Sequence, residues 1–404
     1  MPEAVIVAAA RTPIGRAGKG SLKDMRPDDL AALIVAEALS KVPELDPHTV
    51  DDLILGCGLP GGESGNNMAR VVAVLNGLDE VPGTTVTRYC ASSVQATRMA
   101  FHAIRAGEGH AFIAAGVEAV SRHVKGTSDH LPATLNPRFD DAAARTAVFA
   151  QEDPVWEDPR SLGRLPDVYI AMGQTAENVA TLRGITRQEM DEFAVRSQNR
   201  AEEAIAAGFW QREITPVTTP DGAVVSADDG PRAGVTYEAV AELKPAFRHT
   251  GRVTAGNCCP LNDGAAAVIV MSDRQAARLG IRPLARILAT GVSALSPEIM
   301  GLGPVEATRR ALANARMTID DIDLVEINEA FAAQVIPSYR DLGIDIDRLN
   351  VNGGAIAVGH PFGMTGARLQ ATMLNSLDWH DKSTGLITMC VGGGQGMAMI
   401  LERL

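Results

Sequence analysis

The sequence predicts an α/β fold in which one unit of strands and helices occurs twice. Short runs of β-forming residues alternate with amphipathic helical stretches, a pattern typical of a sheet covered by helices. The 404 residues include 39 glycines but only 4% aromatic residues, which fits a tightly turned α/β protein better than a β sandwich. The intervals from Leu55 to Cys90 and from Val325 to His360 are both 35 positions, which indicates an internal repeat.

The first half opens with a strand at residues 4–8, where every side chain is apolar. Residues 28–42 predict a helix, because leucine and isoleucine recur there at near-helical spacing behind Pro27. Residues 50–56 predict the next strand. After Cys90 a helix-like segment leads to a strand at residues 111–116, and the second repeat shows the same order after His360.

The alternation of strand-like and helix-like segments is interrupted between about residues 122 and 252. Proline, aspartate and histidine stand there in irregular stretches around two predicted helices, residues 172–183 and 187–207. A buried strand follows at residues 264–271. We therefore expect the irregular region to be an insertion into the first unit.

Charge and composition exclude several classes of protein. The 37 basic and 49 acidic residues give a net charge of −12, which disfavours binding to nucleic acid or to anionic membranes. No apolar run approaches the roughly 20 residues that span a bilayer, and no signal peptide is evident, so we expect a cytoplasmic protein. The five cysteines include no C-x-x-C pair, which predicts reduced thiols rather than disulfides or a zinc site.

Two segments place a potentially reactive side chain in a constrained turn. Cys90 stands where a strand ends and small residues open a helix, and the helix dipole there is expected to lower the pKa of its thiol. Taken alone, such a cysteine is more often a buried apolar residue. His360 is surrounded by six glycines and prolines within residues 351–366, which favours a histidine held for function.

Two further segments lie near strand ends. Residues 390–396 begin with Cys390 and contain four glycines. Only eight residues follow them, too few for a dinucleotide-binding unit, so these glycines favour an oxyanion site built from backbone N–H groups. Asn328 follows another predicted strand, where it serves equally well as a helix cap or as a functional amide.

Together these four segments resemble the thiolase family, over essentially the whole chain. The family motifs N-E-A-F-A, G-G-A-I-A-x-G-H-P-x-G-x-[ST]-G and C-x-G-G-G-x-G occur intact and in order, and residues 88–93 are similar to the family's nucleophile signature. The resemblance implies duplicated α/β/α layered half-domains with an inserted loop domain over a coenzyme A site. The implied limits are 1–121 for the N-terminal half, to which 262–283 returns, 122–261 for the loop domain and 284–404 for the C-terminal half.

The resemblance also implies roles for single residues. Cys90 would be the nucleophile that carries the acyl group, His360 the base that activates it, and Cys390 the acid/base at the α-carbon of the acetyl unit. For such proton transfer we expect a pKa of Cys390 not far from neutral. Asn328 would hold a water beside His360, and Gly392 would donate its backbone N–H to the thioester on Cys90.

The implied ligands are coenzyme A and its acyl thioesters, bound as substrates and products, with no tightly bound cofactor and no metal. The resemblance points to Arg232 and Met172 as coenzyme A contacts. In the family segment G-N-x-S, Cys259 replaces the serine, and a thiol is a weaker hydrogen-bond partner. Family members of this kind are homodimers or homotetramers.

The expected reaction is thiolytic cleavage of 3-ketoacyl-CoA to acetyl-CoA and a shortened acyl-CoA. Ala171 stands where thiolases specialised for acetoacetyl-CoA usually have histidine, which favours longer chains. Three alternatives stay open: an acetoacetyl-CoA thiolase running in the condensing direction, a β-ketoacyl synthase, which has no need of Cys390, and a Cys-His-Asn hydrolase that uses Cys90, His360 and Asn328. A non-catalytic acyl-CoA carrier would be expected to have lost a motif residue.

Overall fold

The computed structural model describes residues 1–125 and 134–404, so residues 126–133 of the expected loop domain lie outside the described residues. Within this range the strands are β1 (Ala4–Arg11), β2 (Gly15–Arg16), β3 (Asp52–Cys57), β4 (Gly83–Val86), β5 (Ala111–Ala119), β6 (Val217–Thr218), β7 (Val224–Val225), β8 (Asn262–Ser272), β9 (Ala285–Ala294), β10 (Leu324–Ile327), β11 (Thr384–Val391) and β12 (Gln395–Arg403). The α-helices are α1 (Pro27–Ser40), α2 (Met68–Leu75), α3 (Ser92–Ala106), α4 (Asp140–Glu152), α5 (Met172–Arg183), α6 (Arg187–Ala206), α7 (Tyr237–Ala241), α8 (Asp273–Leu279), α9 (Gly303–Ala315), α10 (Ala332–Leu342), α11 (Ala355–Val358) and α12 (Phe362–Trp379).

The main sheet contains the same strand order twice. Its strands run β10-β11-β12-β9-β1-β8-β5-β3-β4, with β2 beside β8. The order β3-β5-β8-β1 of the first half thus returns as β10-β11-β12-β9 in the second, and β3 with β5 and β10 with β11 are the corresponding parallel pairs. The halves join where β1 and β9 pair at Val5 opposite Arg286 and Ile6 opposite Ala285. The predicted duplicated fold is confirmed.

Helices cover both faces of each half of the sheet and give five layers. Helices α1 and α2 pack on the outer face of the first half, α9 and α10 on the outer face of the second, and α3 and α12 lie between the halves. Strand β1 shows why its sequence is continuously apolar: Val5 and Val7 face the outer core, whereas Ala4 and Ile6 face the central layer.

The inserted region holds more regular structure than its sequence predicts. Helix α5 has the predicted bounds and α6 ends one residue early, but α4 was not expected. Only Ala142 of α4 is buried, so the helix lacks the repeated apolar positions from which a helix is predicted. Strand β8 lies between β1 and β5. The predicted domain limits stay a prediction.

The central layer is unusually close-packed where α3 and α12 begin. A Cβ atom added at Gly116 of β5 would lie 2.6 Å from the Cβ of Ser93, and one at Gly363 would lie 2.8 Å from the Cα of Cys57. At Gly56 of β3 it would lie 2.8 Å from the Cβ of Ser92. Glycine at these positions lets both helices start against the strand ends.

We expect Gly116→Ala to lower the free energy of unfolding by roughly 3 kcal/mol, because the methyl group has to displace α3 or the start of α12. Chemical denaturation measures this loss. Gly65→Ala is the control, since its methyl group would meet only the carbonyl oxygen of Gly62, at 3.1 Å. Equal losses in the two variants would contradict the close-packing argument.

Candidate active site

Cys90 lies in a single 3-10 turn, Tyr89–Ala91, between β4 and α3. Tyr89 has a φ of 44°, in the left-handed region that a residue with a side chain rarely adopts. The turn is braced by Ser92, whose hydroxyl accepts from the N–H of Arg88 at 2.9 Å and donates to the carbonyl of Tyr89 at 2.6 Å. The turn packs against both α12 and β11, so it reaches elements of the second half.

His360 is buried immediately before α12, and its ring is oriented by hydrogen bonds. The hydroxyl of Thr365 donates its only proton to the carbonyl of Pro361, at 2.7 Å. The same hydroxyl lies 2.7 Å from Nδ1 of His360, so it accepts a hydrogen bond from that nitrogen. Nδ1 therefore carries the proton, and Nε2 has the lone pair of a base. The main-chain N–H of His360 donates to Oδ1 of Asn262 at 2.9 Å.

Asn328 lies beside this ring and is not a helix cap, because α10 begins only at Ala332. Its Nδ2 is 3.3 Å from Nε2 of His360, and its Oδ1 is buried with no hydrogen-bond partner among the described residues. Strand β10 ends one residue earlier, and the N–H of Asn328 extends the pairing with β11 by donating to Thr388. The structure thus brings Asn328 and His360 together.

Burial keeps the two central groups uncharged. It lowers the pKa of His360 to about 3, with a further contribution from the charge of Arg368. Burial also raises the pKa of Cys90 to about 12, although the N–H of Gly392 donates to the sulfur and opposes the shift. The expectation of a lowered thiol pKa is wrong, because removing a thiolate from water outweighs the dipole of α3.

Cys390 and Cys259 complete a group of three thiols. Cys390 is fully buried near the end of β11, opposite Gly396 of β12. Burial, followed by the nearby Cys90, raises its pKa far above neutral, so the expected near-neutral value is also wrong. Cys259 is close enough to both thiols for their charges to raise its own pKa, which burial raises most. Its N–H donates to the carbonyl of Ala330 at 3.0 Å.

The other predicted ligand contacts divide into two groups. Met172 opens α5 and packs, half-buried, in the same apolar cluster as Cys259. Arg232 is exposed, its N–H donates to Oε1 of Gln198 at 3.0 Å, and its side chain has no hydrogen bond or ion pair with the described residues. Met172 thus lies in the same apolar cluster as Cys259 and Cys390, whereas the guanidinium of Arg232 lies at the surface.

Two buried carboxylates that sequence reasoning missed hold the surrounding loops. Glu118 accepts hydrogen bonds from the N–H groups of Gly58 and Gly363, at 2.7 and 2.9 Å. Glu329 accepts from Ser197, Asn350 and the N–H of Ile356. Both glutamates interrupt apolar runs, and that was the available signal.

Within the described ranges, no helix is long and apolar enough to cross a membrane. Nor does that part of the chain hold a group of three or more histidine, cysteine or acidic residues arranged for a metal ion.

Comparison with known proteins agrees with the motifs. The family profile "Thiolase, N-terminal domain" matches residues 4–274, and "Thiolase, C-terminal domain" matches residues 281–403. The chain is 43% identical to the beta-ketoadipyl-CoA thiolase of Acinetobacter baylyi and 41% identical to the 3-ketoacyl-CoA thiolase of Bacillus subtilis, each over 100% of both chains. The crystal structure of the Bacillus anthracis acetyl-CoA acetyltransferase superposes with a TM-score of 0.85 at 37% identity, covering 100% of this chain and 99% of that one.

The raised pKa of Cys90 predicts how its alkylation depends on pH. Only the thiolate reacts, and its fraction rises about tenfold per pH unit below the pKa. We therefore expect the rate of Cys90 labelling by iodoacetamide to climb throughout pH 7–9.5. Mass spectrometry of the Cys90 peptide at timed intervals measures it. A rate that levels off near pH 7 would show that the thiol is acidified after all.

Proposed function

The chain belongs to the thiolase family, and we propose that it catalyses the reversible thiolytic cleavage of 3-ketoacyl-CoA by coenzyme A. The products are acetyl-CoA and an acyl-CoA two carbons shorter. The observation that carries this proposal is the cluster formed by Cys90, Cys390 and the N–H of Gly392, with the neutral His360 at the start of α12, the helix against which the Cys90 turn packs. A nucleophile, a second acid/base, an oxyanion donor and a base are what this chemistry needs.

In the first half-reaction, Nε2 of His360 takes the proton of Cys90, and the sulfur attacks the 3-keto carbon. The N–H of Gly392, and that of Cys90 itself, stabilise the oxyanion that forms. When it collapses, the bond between C2 and C3 breaks, and the electron pair stays on C2 of the departing acetyl-CoA. Cys390 protonates that carbon and becomes a thiolate. The α-carbanion of a thioester is a stronger base than a thiolate, so a raised pKa does not prevent this step.

In the second half-reaction, the Cys390 thiolate removes the thiol proton of coenzyme A. The new thiolate attacks the acyl-Cys90 thioester at the same oxyanion site. Collapse of the tetrahedral intermediate releases the shortened acyl-CoA and the Cys90 sulfur, which regains its proton from His360. Atoms and charges then balance, and the neutral thiols and imidazole of the resting site are restored.

For substrate binding, we propose that Met172, Cys259 and Arg232 contact coenzyme A, with Arg232 free to pair with a phosphate. The protein would act as a homodimer or homotetramer in the cytoplasm, with coenzyme A as substrate rather than as a resident cofactor. Longer 3-ketoacyl chains are favoured by the small Ala171 at the start of α5 and by the relatives named for 3-ketoacyl-CoA and beta-ketoadipyl-CoA.

The second candidate is an acetoacetyl-CoA thiolase that condenses two acetyl units, which the likeness to an acetyl-CoA acetyltransferase favours. It uses the same residues and differs in chain length and direction. A Cys-His-Asn hydrolase is disfavoured, since water as acceptor gives no role to Cys390 beside Cys90.

Cys390→Ala separates the two half-reactions. Acylation by acetyl-CoA can expel coenzyme A as a stable thiolate without a proton from Cys390, so we expect acetyl-CoA to add an acetyl group to Cys90 of this variant, detected as a mass increase on that peptide. Condensation and thiolysis should fall by at least about a thousandfold, because no group exchanges the proton on the α-carbon. Cys90→Ser is the matched control and should lose both the acylation by acetyl-CoA and the condensation and thiolysis reactions. Wild-type condensation by Cys390→Ala, or labelling only at another residue, contradicts these roles.

Chain-length preference is tested by kcat/KM for acetoacetyl-CoA, 3-ketohexanoyl-CoA and 3-ketooctanoyl-CoA. Each methylene buried in the transition state contributes about 0.8 kcal/mol. We therefore expect kcat/KM to rise about tenfold or more from the four-carbon to the eight-carbon substrate. Ala171→His should reduce the ratio of kcat/KM for the eight-carbon substrate to that for the four-carbon substrate, because the imidazole takes up space beside the start of α5. A wild-type preference for acetoacetyl-CoA instead supports the second candidate.

A further inference from the structure

The turn that contributes the Gly392 N–H is rich in glycine, and its far end is held where the N–H of Leu295 donates to the carbonyl of Gly394 at 2.8 Å. It consists of three glycines, of which Gly393 and Gly394 have φ values of 74° and 80°. Glycine restricts its backbone least, so the sequence of the turn does not itself fix the direction of the N–H. The last cross-strand pair before the turn is Val391 opposite Gln395. The N–H and the carbonyl of Gly392 belong to successive peptide groups, so a contact that holds the carbonyl acts by restricting the φ and ψ rotations of this glycine.

The side chain of Gln395 provides such a contact and links it to the nucleophile segment. Its Nε2 donates to the carbonyl of Gly392 at 3.3 Å, and its Oε1 accepts from Nη1 of Arg88 at 2.7 Å. Nε of Arg88 donates in turn to Oε1 of Gln95 on α3, at 3.0 Å. Arg88 and Gln395 are 307 positions apart, in different halves of the chain. A continuous chain of hydrogen bonds thus joins α3 to the turn.

The hydrogen bonds of Arg88 and Gln395 suit the orientation of a backbone group rather than the neutralisation of a charge. Both side chains that Arg88 bonds are uncharged amides, and among the described residues it forms no ion pair. Burial lowers the pKa of Arg88, because the guanidinium is partly removed from water and no carboxylate of the described residues pairs with it. An amide at position 395 can accept from the guanidinium and donate to a carbonyl at once, which a carboxylate cannot do.

We propose that Arg88 and Gln395 are positioning residues that hold the Gly392 N–H against the oxyanion formed on Cys90. They act through the carbonyl of the same glycine and set its position relative to the nucleophile segment, which lies in the other half of the fold. This inference deepens the proposed function and rests on it.

The experiment compares two reactions of the same sulfur. Acylation of Cys90 by acetyl-CoA passes through an oxyanion, whereas alkylation by iodoacetamide is a displacement at carbon that forms none. The Gly392 N–H also donates to the sulfur, so its loss lowers the thiolate fraction in both reactions, but loss of oxyanion alignment slows only the first and therefore lowers the ratio of acylation to alkylation. Both rates are read from the mass of the Cys90 peptide, and their ratio is insensitive to a general change in thiol exposure.

The test variants are Arg88→Met and Gln395→Glu. The glutamate keeps an acceptor for Arg88 but points an oxygen at the carbonyl of Gly392. Arg98→Met is the matched control, because Arg98 is a similarly half-buried arginine on α3 that bonds the hydroxyl of Thr290 at 3.2 Å instead. Its pKa is likewise lowered by burial.

We expect both test variants to lower the ratio of acylation to alkylation by about 10- to 100-fold, the range for a misdirected oxyanion donor. Arg98→Met should stay within about twofold of the wild type. An unchanged ratio, an equal fall in both reactions, or the same fall in Arg98→Met would overturn the inference. Failure of the wild type to acylate Cys90 at all would instead refute the proposed function.

Discussion

The close approach of α3 and α12 to the ends of β3 and β5 is the constraint on which the site depends. It requires glycine at Gly56, Gly116 and Gly363, because a methyl group at any of them would overlap the neighbouring element. The nucleophile turn immediately precedes α3, and His360 immediately precedes α12. Each half of the fold therefore contributes a reactive group at the start of its central helix, and the packing of the two helices brings these groups together.

This packing also sets the charge state of the groups. Burial among the layers moves the pKa of His360 down and that of Cys90 up. The resting site is thus a neutral imidazole with neutral thiols rather than an ion pair. Negative charge develops only during the reaction, and the N–H of Gly392 is positioned to stabilise it. A hydrogen-bond donor acts most strongly where it is buried.

Local patterns in the sequence predicted the parts of the structure that local physics decides. The duplication of the fold follows from the equal intervals to Cys90 and His360, and the bounds of α5 and the glycine-rich turns at His360 and Cys390 follow from periodicity and turn chemistry. Helix α4 was missed because nearly all of it faces away from the core. The raised pKa of Cys90 could not be predicted either, since it depends on enclosure by segments that lie hundreds of positions away.

The two buried glutamates fix the loops around the site through hydrogen bonds. Glu118 and Glu329 are satisfied by N–H, hydroxyl and amide donors, and Arg196 lies close enough to Glu329 for its charge to oppose the rise that burial causes in the pKa of that carboxyl. Backbone donors hold the loop, while the negative charge of Glu118 itself raises the pKa of Cys90. The carboxylate that anchors Gly363 therefore adds to the main effect of burial, which keeps the Cys90 thiol neutral.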